Sequence, residues 1–217
     1  SALDNQGARD FDLSGWQGLS RDEFDAMEPT KWPVNNQPKE RFFADGRFYT
    51  ASQKGKMLAL SYKKPENQTS SQFPFVLNTG RIRDQWHMMT RTGLSARLSS
   101  HIEEPYLEIC SEDALANDLN EGDLAKVSSN WGNAYLRVRI SENVKKSHLF
   151  MPMHWTDENS ANACVGRLVN PVVDPVSGQP ESKHTPVKIE KFNADWYGFL
   201  VSRKKINIDG LAYWTRS

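Results

Sequence analysis

The sequence predicts a mainly β protein, built as a small closed β-barrel with insertions. Two observations support this fold class. Short apolar or alternating runs recur from Phe73 onward, and their lengths are typical of strands rather than of helices. Turn residues such as Gly, Asn, Asp and Ser separate these runs, whereas the patterns that favour helices are few and short.

The first part of the chain is polar and irregular, and we interpret residues 1–72 as an arm that joins the barrel to a preceding domain. Ser20-Arg21-Asp22-Glu23 is a capping-box pattern that predicts a short helix, which Pro29 limits. Asp45-Gly46 is a turn signal whose aromatic flanks are strand-like. Residues 63–72 are rich in Lys, Pro, Asn and Ser without periodicity, as in a linker.

The barrel is expected to occupy residues 73–192, and an aromatic-rich tail follows from 193 to 217. The apolar patterns predict strands at Phe73–Leu77, Tyr106–Cys110, Leu124–Ser128, Ala134–Ile140 and Leu149–Met151. Within Ala134–Ile140, apolar residues alternate with arginines, which is the period of a half-buried strand. A helix is predicted from Ser111 to Ala116, with Ser111 as its N-cap. We expect the tail to pack on the barrel or on a partner domain.

The overall charge excludes one class of function. The chain has 27 basic and 27 acidic residues and a net charge of zero, which argues against a protein held to nucleic acid by bulk charge. No apolar run approaches the roughly 20 residues that cross a bilayer, and no signal peptide pattern opens the sequence. We therefore expect neither nucleic acid nor a membrane among the partners.

Cys110 and Cys164 are the only cysteines. Neither belongs to a CxxC pair, so a zinc or iron–sulfur site made only of cysteines is excluded within this chain. We expect two reduced, buried thiols, and a disulfide between them is an open alternative. No Ser–His–Asp arrangement or other catalytic pattern is apparent, and we expect no catalytic residue and no metal ligand in this sequence.

The segment from Thr79 to His101 carries the clearest chemical signal. It holds four arginines and one carboxylate, a local charge of 4 − 1 = +3 on a neutral chain. Gly80 allows close approach of the backbone or a positive φ, Arg side chains bind phosphate through two parallel hydrogen bonds, and Trp86 offers a face for stacking. The pattern favours an anion site, and a solvated basic loop is the alternative.

Several strings along the chain resemble one known family. Asn78-Thr79-Gly80-Arg81, followed by Gln85-Trp86-His87 and Thr90-Arg91-Thr92-Gly93, is similar to the dinucleotide-binding signature in the C-terminal domain of molybdopterin oxidoreductases. Phe150–Trp155 resembles a later strand and the loop facing the cofactor, and Asn170–Glu181 is close to the assimilatory nitrate reductase type. The combined resemblance covers most of the chain.

The resemblance implies a six-stranded double-psi β-barrel laid over a bis-molybdopterin guanine dinucleotide that holds molybdenum. Carried over position by position, it implies cofactor contacts from Thr79, Gly80, Arg81, Gln85, Trp86, His87, Thr90, Asn162 and Lys183. Met88 stands where the signature often has Thr, so one hydroxyl contact is in doubt. His154 and Trp155 match positions near the substrate funnel, and a packed barrel edge is the alternative for this pair.

The resemblance also implies what lies outside this chain. The molybdenum ligand and a 4Fe-4S cluster would belong to upstream domains of the same enzyme, which works in the cytoplasm, and this part alone would be inactive. The expected reaction is the reduction of nitrate to nitrite, with an unknown electron donor. The alternatives are the same domain of a formate dehydrogenase, or a separate β-barrel module for nucleotides or single-stranded nucleic acid.

Overall fold

The computed structural model describes residues 12–35 and 40–216. The chain divides into two compact units, Ser1–Tyr62 and Lys63–Ser217. In the first unit, a 3-10 helix spans Ser14–Trp16 and helix α1 spans Arg21–Asp25. The predicted capping box is confirmed, because the Ser20 hydroxyl accepts a hydrogen bond from the Glu23 backbone while the Glu23 carboxylate accepts one from the Ser20 backbone.

The region around Asp45-Gly46 forms a turn without strands. The Gly46 backbone has a φ of 72° and its N–H donates to the Phe43 carbonyl at 3.0 Å. Strands at the aromatic flanks were expected, and none is present in the described part of the first unit. The rings of Phe43 and Phe48 stack on each other instead, 4.9 Å apart. The aromatic residues of this segment therefore pack locally and do not form a ladder.

The second unit is a closed six-stranded barrel, which confirms the predicted fold class. Its strands are β1 (Phe75–Gly80), β2 (Tyr106–Ile109), β3 (Leu124–Ser128), β4 (Asn133–Ile140), β5 (His148–Pro152) and β6 (Thr185–Phe192). They close in the order β1-β5-β2-β4-β3-β6. Strand β6 is the one that the sequence reasoning missed, although Val187 and Ile189 alternate with charged residues in the pattern of a strand.

Because of the pairing directions, the ends of β1 and β5 and the start of β6 lie at the same end of the barrel. Strand β1 pairs in parallel with β5, from Val76 opposite His148 to Gly80 opposite Pro152. Strands β2 and β4 form the second parallel pair, and all other pairs are antiparallel. Because parallel strands end at the same edge, the loops after β1 and β5 leave the barrel side by side. Strand β6 begins there too, antiparallel to β1.

The barrel interior is filled by apolar side chains that point inward from alternate strand positions. Leu77, Leu107, Leu136, Met151 and Val187 have no solvent exposure. The predicted alternation in β4 is confirmed, since the apolar residues there face the core while the arginines lie on the outside. Burial of such side chains is the dominant stabilising contribution to a small domain.

Two outward arginines of β4 have different partners. Arg137 donates two hydrogen bonds to the Glu104 carboxylate, at 3.0 and 3.2 Å. The Arg139 guanidinium lies over the Tyr106 ring, 3.8 Å from its centre. These contacts attach the segment before β2 to the outer face of the barrel.

The short helices of the second unit lie in the connections between the strands. Helix α2 spans Ala96–Ser99 after a 3-10 turn at Thr92–Leu94, helix α3 spans Ser111–Ala116, and another 3-10 turn spans Val165–Arg167. The expected N-cap Ser111 is wrong by one position, because Cys110 is the N-cap and makes no capping bond. No helix in residues 12–35 and 40–216 is both long and apolar enough to cross a bilayer.

Both cysteines are free thiols. The Cys110 thiol is buried and donates to an Asp113 carboxylate oxygen at 3.2 Å. Burial raises the pKa of Cys110, which keeps the sulfur protonated and unreactive. Cys164 is partly exposed, so the expectation of two buried thiols is correct only for Cys110.

The barrel core supplies a test of this architecture. Replacing Leu107 with Ala leaves a cavity in a fully buried layer, and we expect the free energy of unfolding to fall by about 2–5 kcal/mol. The control is Leu115→Ala, because Leu115 lies on α3 with 83% of its surface exposed. Urea denaturation of both variants measures the difference, and equal losses would contradict the assigned core.

Candidate anion-binding site

The barrel end formed by the ends of β1 and β5 and the start of β6 brings three segments together. The loop 81–93 follows β1, the loop 153–163 follows β5, and residues 181–184 lead into β6. The Met153 N–H donates to the Gly80 carbonyl at 2.9 Å, so the two outgoing loops start in contact. Most of the predicted cofactor contacts lie on these three segments.

Lys183 and Thr79 meet at this end of the barrel, although 104 positions separate them in the sequence. The Lys183 ammonium donates to the Thr79 carbonyl oxygen, and the Thr79 hydroxyl donates to the Ser182 carbonyl at 2.7 Å. Thr79 is buried, so its hydroxyl serves to hold residues 182–183 in place. The ammonium group of Lys has three N–H donors, and two of them are left for a ligand.

Of the two roles predicted for Gly80, a positive φ is wrong, and close approach of the backbone to a ligand stays a prediction. Its φ is not positive, and a Cβ at Gly80 would lie 2.8 Å from Cε2 of Phe150 and 3.6 Å from the Lys183 ammonium. The missing side chain therefore makes room for the Phe150 ring and keeps Lys183 close to the backbone. The left-handed residues of the loop are His87 and Met89, with φ of 48° and 60°.

The charge at this site is only partly balanced. Asp84 accepts a hydrogen bond from Arg83 at 3.0 Å and lies 3.7 Å from His101. The Arg83 hydrogen bond lowers the pKa of Asp84, so this carboxylate stays charged and neutralises one arginine. The other arginines of the predicted cluster are exposed, and none of their guanidinium groups makes a hydrogen bond or ion pair with any described residue: Arg81, Arg91 and Arg97.

The interior of the loop contains two buried donors that lack an acceptor. The Gln85 side chain is 6% exposed, and its Oε1 accepts a hydrogen bond from the Thr92 hydroxyl. Gln85 Nε2 and Trp155 Nε1 are buried without any hydrogen-bond partner in the described chain. Because an unpaired buried donor costs about 1–3 kcal/mol, the Gln85 amide is a candidate donor to an acceptor from a ligand, whereas the Trp155 indole is fully enclosed in the core.

His154 fixes the backbone of this loop through two hydrogen bonds. The Ile82 N–H donates to His154 Nε2 at 2.9 Å, and His154 Nδ1 lies 2.5 Å from the His87 carbonyl oxygen. Since the backbone N–H only donates and the carbonyl only accepts, the ring is the neutral tautomer with its proton on Nδ1. Both ring nitrogens are thus used to fix the loop between Ile82 and His87.

The burial of His154 and Trp155 does not fit the expectation that they line a substrate funnel. Both side chains have 0% exposure, and the His154 nitrogens are occupied by the backbone. The alternative of a packed barrel edge agrees with this placement. His154 and Trp155 therefore support the anion loop from the interior.

Three other predicted residues form the exposed rim of the loop. Trp86 is 58% exposed, and its ring meets His87 edge-on at 4.5 Å. His87 and Thr90 are also exposed. Their side chains are free for contacts with a ligand, and the Trp86 face is available for stacking.

Asn162 does not join the other predicted residues through any hydrogen bond of the described chain. Its side chain accepts a hydrogen bond from Arg167 at 3.2 Å, and its carbonyl accepts one from the Tyr135 N–H at 2.9 Å. It has a φ of 53°. The residue thus shapes the loop after β5, at a distance from the Lys183 contact network.

Sequence reasoning missed Asn170, which organises the segment that carries Lys183. Asn170 is 2% exposed, and its amide donates to the carbonyls of Glu181 and His184, each at 3.0 Å. Its Oδ1 accepts from the Val172 N–H at 3.0 Å. The one signal in the sequence was the Asn-Pro pair at Asn170, which marks a turn.

Taken together, the site is a donor-rich, cationic surface suited to a polyanion. The Lys183 ammonium lies close to Gly80 and Arg81 follows it in the chain, and neither cation has a carboxylate partner among the described residues. Among the described residues, no group of three or more His, Cys, Asp or Glu side chains is arranged to hold a metal ion. These groups bind and orient a charged ligand, and the orphaned donor of Gln85 fits an oxygen-rich ligand such as a phosphate.

Comparison with known proteins identifies the type of ligand. Residues 75–186 match the family described as "Molydopterin dinucleotide binding domain". The chain is 39% identical to a nitrate reductase of Klebsiella oxytoca over 100% of its own length and 25% of that protein. It is 30% identical to a nitrate reductase of Shewanella frigidimarina, over 94% of this chain and 24% of the relative.

Other relatives act on different substrates. The alpha subunit of an F420-dependent formate dehydrogenase from Methanocaldococcus jannaschii is 33% identical over 74% of this chain and 23% of that protein. Acetylene hydratase from Pelobacter acetylenicus has the same fold, with a TM-score of 0.63 at 14% identity over 84% of this chain and 29% of that chain. The present chain spans about a quarter of the length of the curated relatives it matches.

The role assigned to His154 is open to a direct test. His154→Phe leaves the Ile82 N–H and the His87 carbonyl without partners, and we expect a loss of roughly 1–3 kcal/mol in unfolding free energy. We also expect faster tryptic cleavage at the arginines of the loop. His154→Gln is the matched control, because its amide keeps one donor and one acceptor. Identical cleavage rates in both variants and the parent would refute the assignment.

Proposed function

Because the chain belongs to the molybdopterin dinucleotide-binding domain family, we propose that it is the C-terminal cofactor-binding domain of a molybdenum nitrate reductase. The observation that carries the choice of nitrate is the 39% identity to the Klebsiella oxytoca enzyme, which extends over the whole chain. It includes the arm and the tail as well as the barrel. Residues 1–72, 73–192 and 193–217 are the corresponding divisions in this proposal.

The proposed ligand is the bis-molybdopterin guanine dinucleotide, and the site residues fit its diphosphate. Lys183 and Arg81 supply unpaired cations beside Gly80, and Gln85 supplies a buried donor without an acceptor. Thr90 adds an exposed hydroxyl to the rim. Charge-assisted hydrogen bonds of this kind contribute about 1.5–3 kcal/mol each.

In this function the domain positions the cofactor and excludes water, and the bound molybdenum and pterins supply the redox chemistry. The chain's own residues do three things in the proposal. Lys183 and Arg81 bind phosphate oxygens, and Trp86 stacks on a ring of the ligand. His154 holds the loop through its hydrogen bonds with Ile82 and His87. The molybdenum ligand and a 4Fe-4S cluster are assigned to upstream domains, and the cytoplasm is the proposed location.

A formate dehydrogenase is the second candidate, because the Methanocaldococcus jannaschii subunit is 33% identical over 74% of this chain. Its alignment leaves about a quarter of the chain unmatched, whereas the Klebsiella oxytoca relative matches all of it. Assay of the complete enzyme with nitrate and with formate separates the two. Turnover of formate alone would replace the nitrate assignment and leave the cofactor-binding role in place.

The cofactor-binding role is tested by removing a single cation. In the complete enzyme, Lys183→Ala and Arg81→Ala should each lower bound molybdenum and guanine nucleotide about tenfold or more, in line with the loss of one charge-assisted hydrogen bond. The control is Lys205→Ala, which removes an exposed lysine that has no partner in the described chain. Metal analysis and the GMP released by acid hydrolysis measure the occupancy.

Full cofactor occupancy in both the Lys183→Ala and Arg81→Ala proteins would show that the cationic barrel end does not bind the diphosphate. A similar loss in the Lys205→Ala protein would point to a general effect of lost charge instead of a defined site.

A further inference from the structure

The last described residues of the chain lie along the loop that follows β5. The Ala161 N–H donates to the Trp214 carbonyl at 2.8 Å, and the Arg216 N–H donates to the Asn159 carbonyl at 2.9 Å. Between them, Ser160 and Thr215 form an antiparallel bridge. We call residues 213–216 the C-terminal strap, because they bind one side of this loop in an extended form.

The strap is anchored to the outer face of the barrel by a partly buried tyrosine. The Tyr213 hydroxyl donates to the Glu104 carboxylate at 3.1 Å, and the same carboxylate accepts two hydrogen bonds from Arg137 on β4. Burial raises the pKa of Tyr213, which keeps its donor proton in place. The strap therefore has a fixed point on a strand of the barrel.

The far end of the strap reaches toward the anion loop through one buried amide. Arg216 Nη2 donates to Asn159 Oδ1 at 2.8 Å, and Asn159 is 4% exposed. A Cβ at Gly93 would lie 3.4 Å from the same oxygen, so the bare backbone of Gly93 packs against it. Gly93 in turn donates to the Met89 carbonyl at 2.9 Å and ends the turn that carries Thr90.

We propose that Arg216 and Asn159 are positioning residues that hold the C-terminal half of the anion loop in its binding conformation. The inference rests on the proposed cofactor-binding function. His154 fixes the first half of the loop, between Ile82 and His87. The Thr92–Gln85 hydrogen bond ties the second half to the first, and Asn159, held by the strap, supplies the surface of the loop after β5 against which Gly93 packs. A charge-assisted bond holds the Asn159 amide in one orientation.

The consequence of losing this bond is a looser loop before the ligand arrives. Without Arg216, the Asn159 amide is free to turn, and Met89–Gly93 lose the surface against which they pack. Ligand binding must then order the loop, and the conformational entropy lost in doing so weakens the affinity for the ligand. We expect the chemical step to be unaffected, because neither residue is among the predicted cofactor contacts and the Asn159 side chain is buried.

The test compares two arginines near the C-terminus in the complete enzyme. Arg216→Ala should lower molybdenum and guanine nucleotide per folded protein about fivefold, and should speed cofactor loss on dilution, while turnover per bound molybdenum stays unchanged. Arg203→Ala is the matched control, because Arg203 is exposed and makes no hydrogen bond or ion pair with any described residue. Arg216→Lys keeps a cationic donor and should restore part of the occupancy.

A double substitution checks the route through Asn159. Once Asn159→Ala has removed the acceptor, adding Arg216→Ala should lower the occupancy no further. If the two losses multiply, Arg216 does not act through Asn159 and the inference is wrong.

The readouts distinguish this inference from its premise. Full occupancy in Arg216→Ala, with or without a lower melting temperature, overturns the positioning role if Lys183→Ala loses its cofactor in the same assay. If Lys183→Ala also keeps its cofactor, the proposed function itself is wrong. If the Arg216→Ala protein does not fold, the cofactor occupancy of the Arg216→Lys protein is the deciding measurement. An occupancy equal to that of the parent and Arg203→Ala proteins would count against the inference.

Discussion

The site depends on one feature of the barrel, the position of β1 between β5 and β6. Its parallel pairing with β5 puts Gly80 beside Pro152, and its antiparallel pairing with β6 puts the segment containing Lys183 at the same end. A strand order that separated these three would leave the loop after β1 without its lysine and without His154. The hydrogen-bonded ladder, set by the inward-facing apolar residues, thus determines where the cations lie.

Buried groups fix the backbone of the site by hydrogen bonds, whereas the positive charges on its solvent-exposed side are only partly balanced by carboxylates. Neutral groups inside the barrel end, including His154 and Thr79, satisfy the backbone of the loop and of residues 182–183. On the outside, Arg81 and Lys183 have no carboxylate partner among the described residues, whereas Arg83 is paired with Asp84. Fixed donors arranged before a ligand binds cost little reorganisation. In the proposed function, this combination of a fixed backbone and exposed cations suits the domain to hold a diphosphate.

The sequence predicted the barrel and the chemical character of the loop because both depend on local patterns. Alternating residues located β4, and the density of arginines after Gly80 marked the loop. Lys183 was found only through the family resemblance, since 104 residues separate it from Thr79. The sequence left two interpretations of His154 open, a substrate funnel and a packed barrel edge, because a His that follows a strand gives no sign of whether its nitrogens face solvent or the backbone. The contact of Arg216 with Asn159 is equally invisible before the chain is folded.

The most direct measurement is a crystal structure of the complete enzyme with its dinucleotides bound. The account predicts a phosphate oxygen within about 2.7–3.2 Å of the Lys183 ammonium, with the Arg81 guanidinium turned toward the same diphosphate. Density for the diphosphate at another face of the barrel, with both cations in bulk solvent, would contradict it.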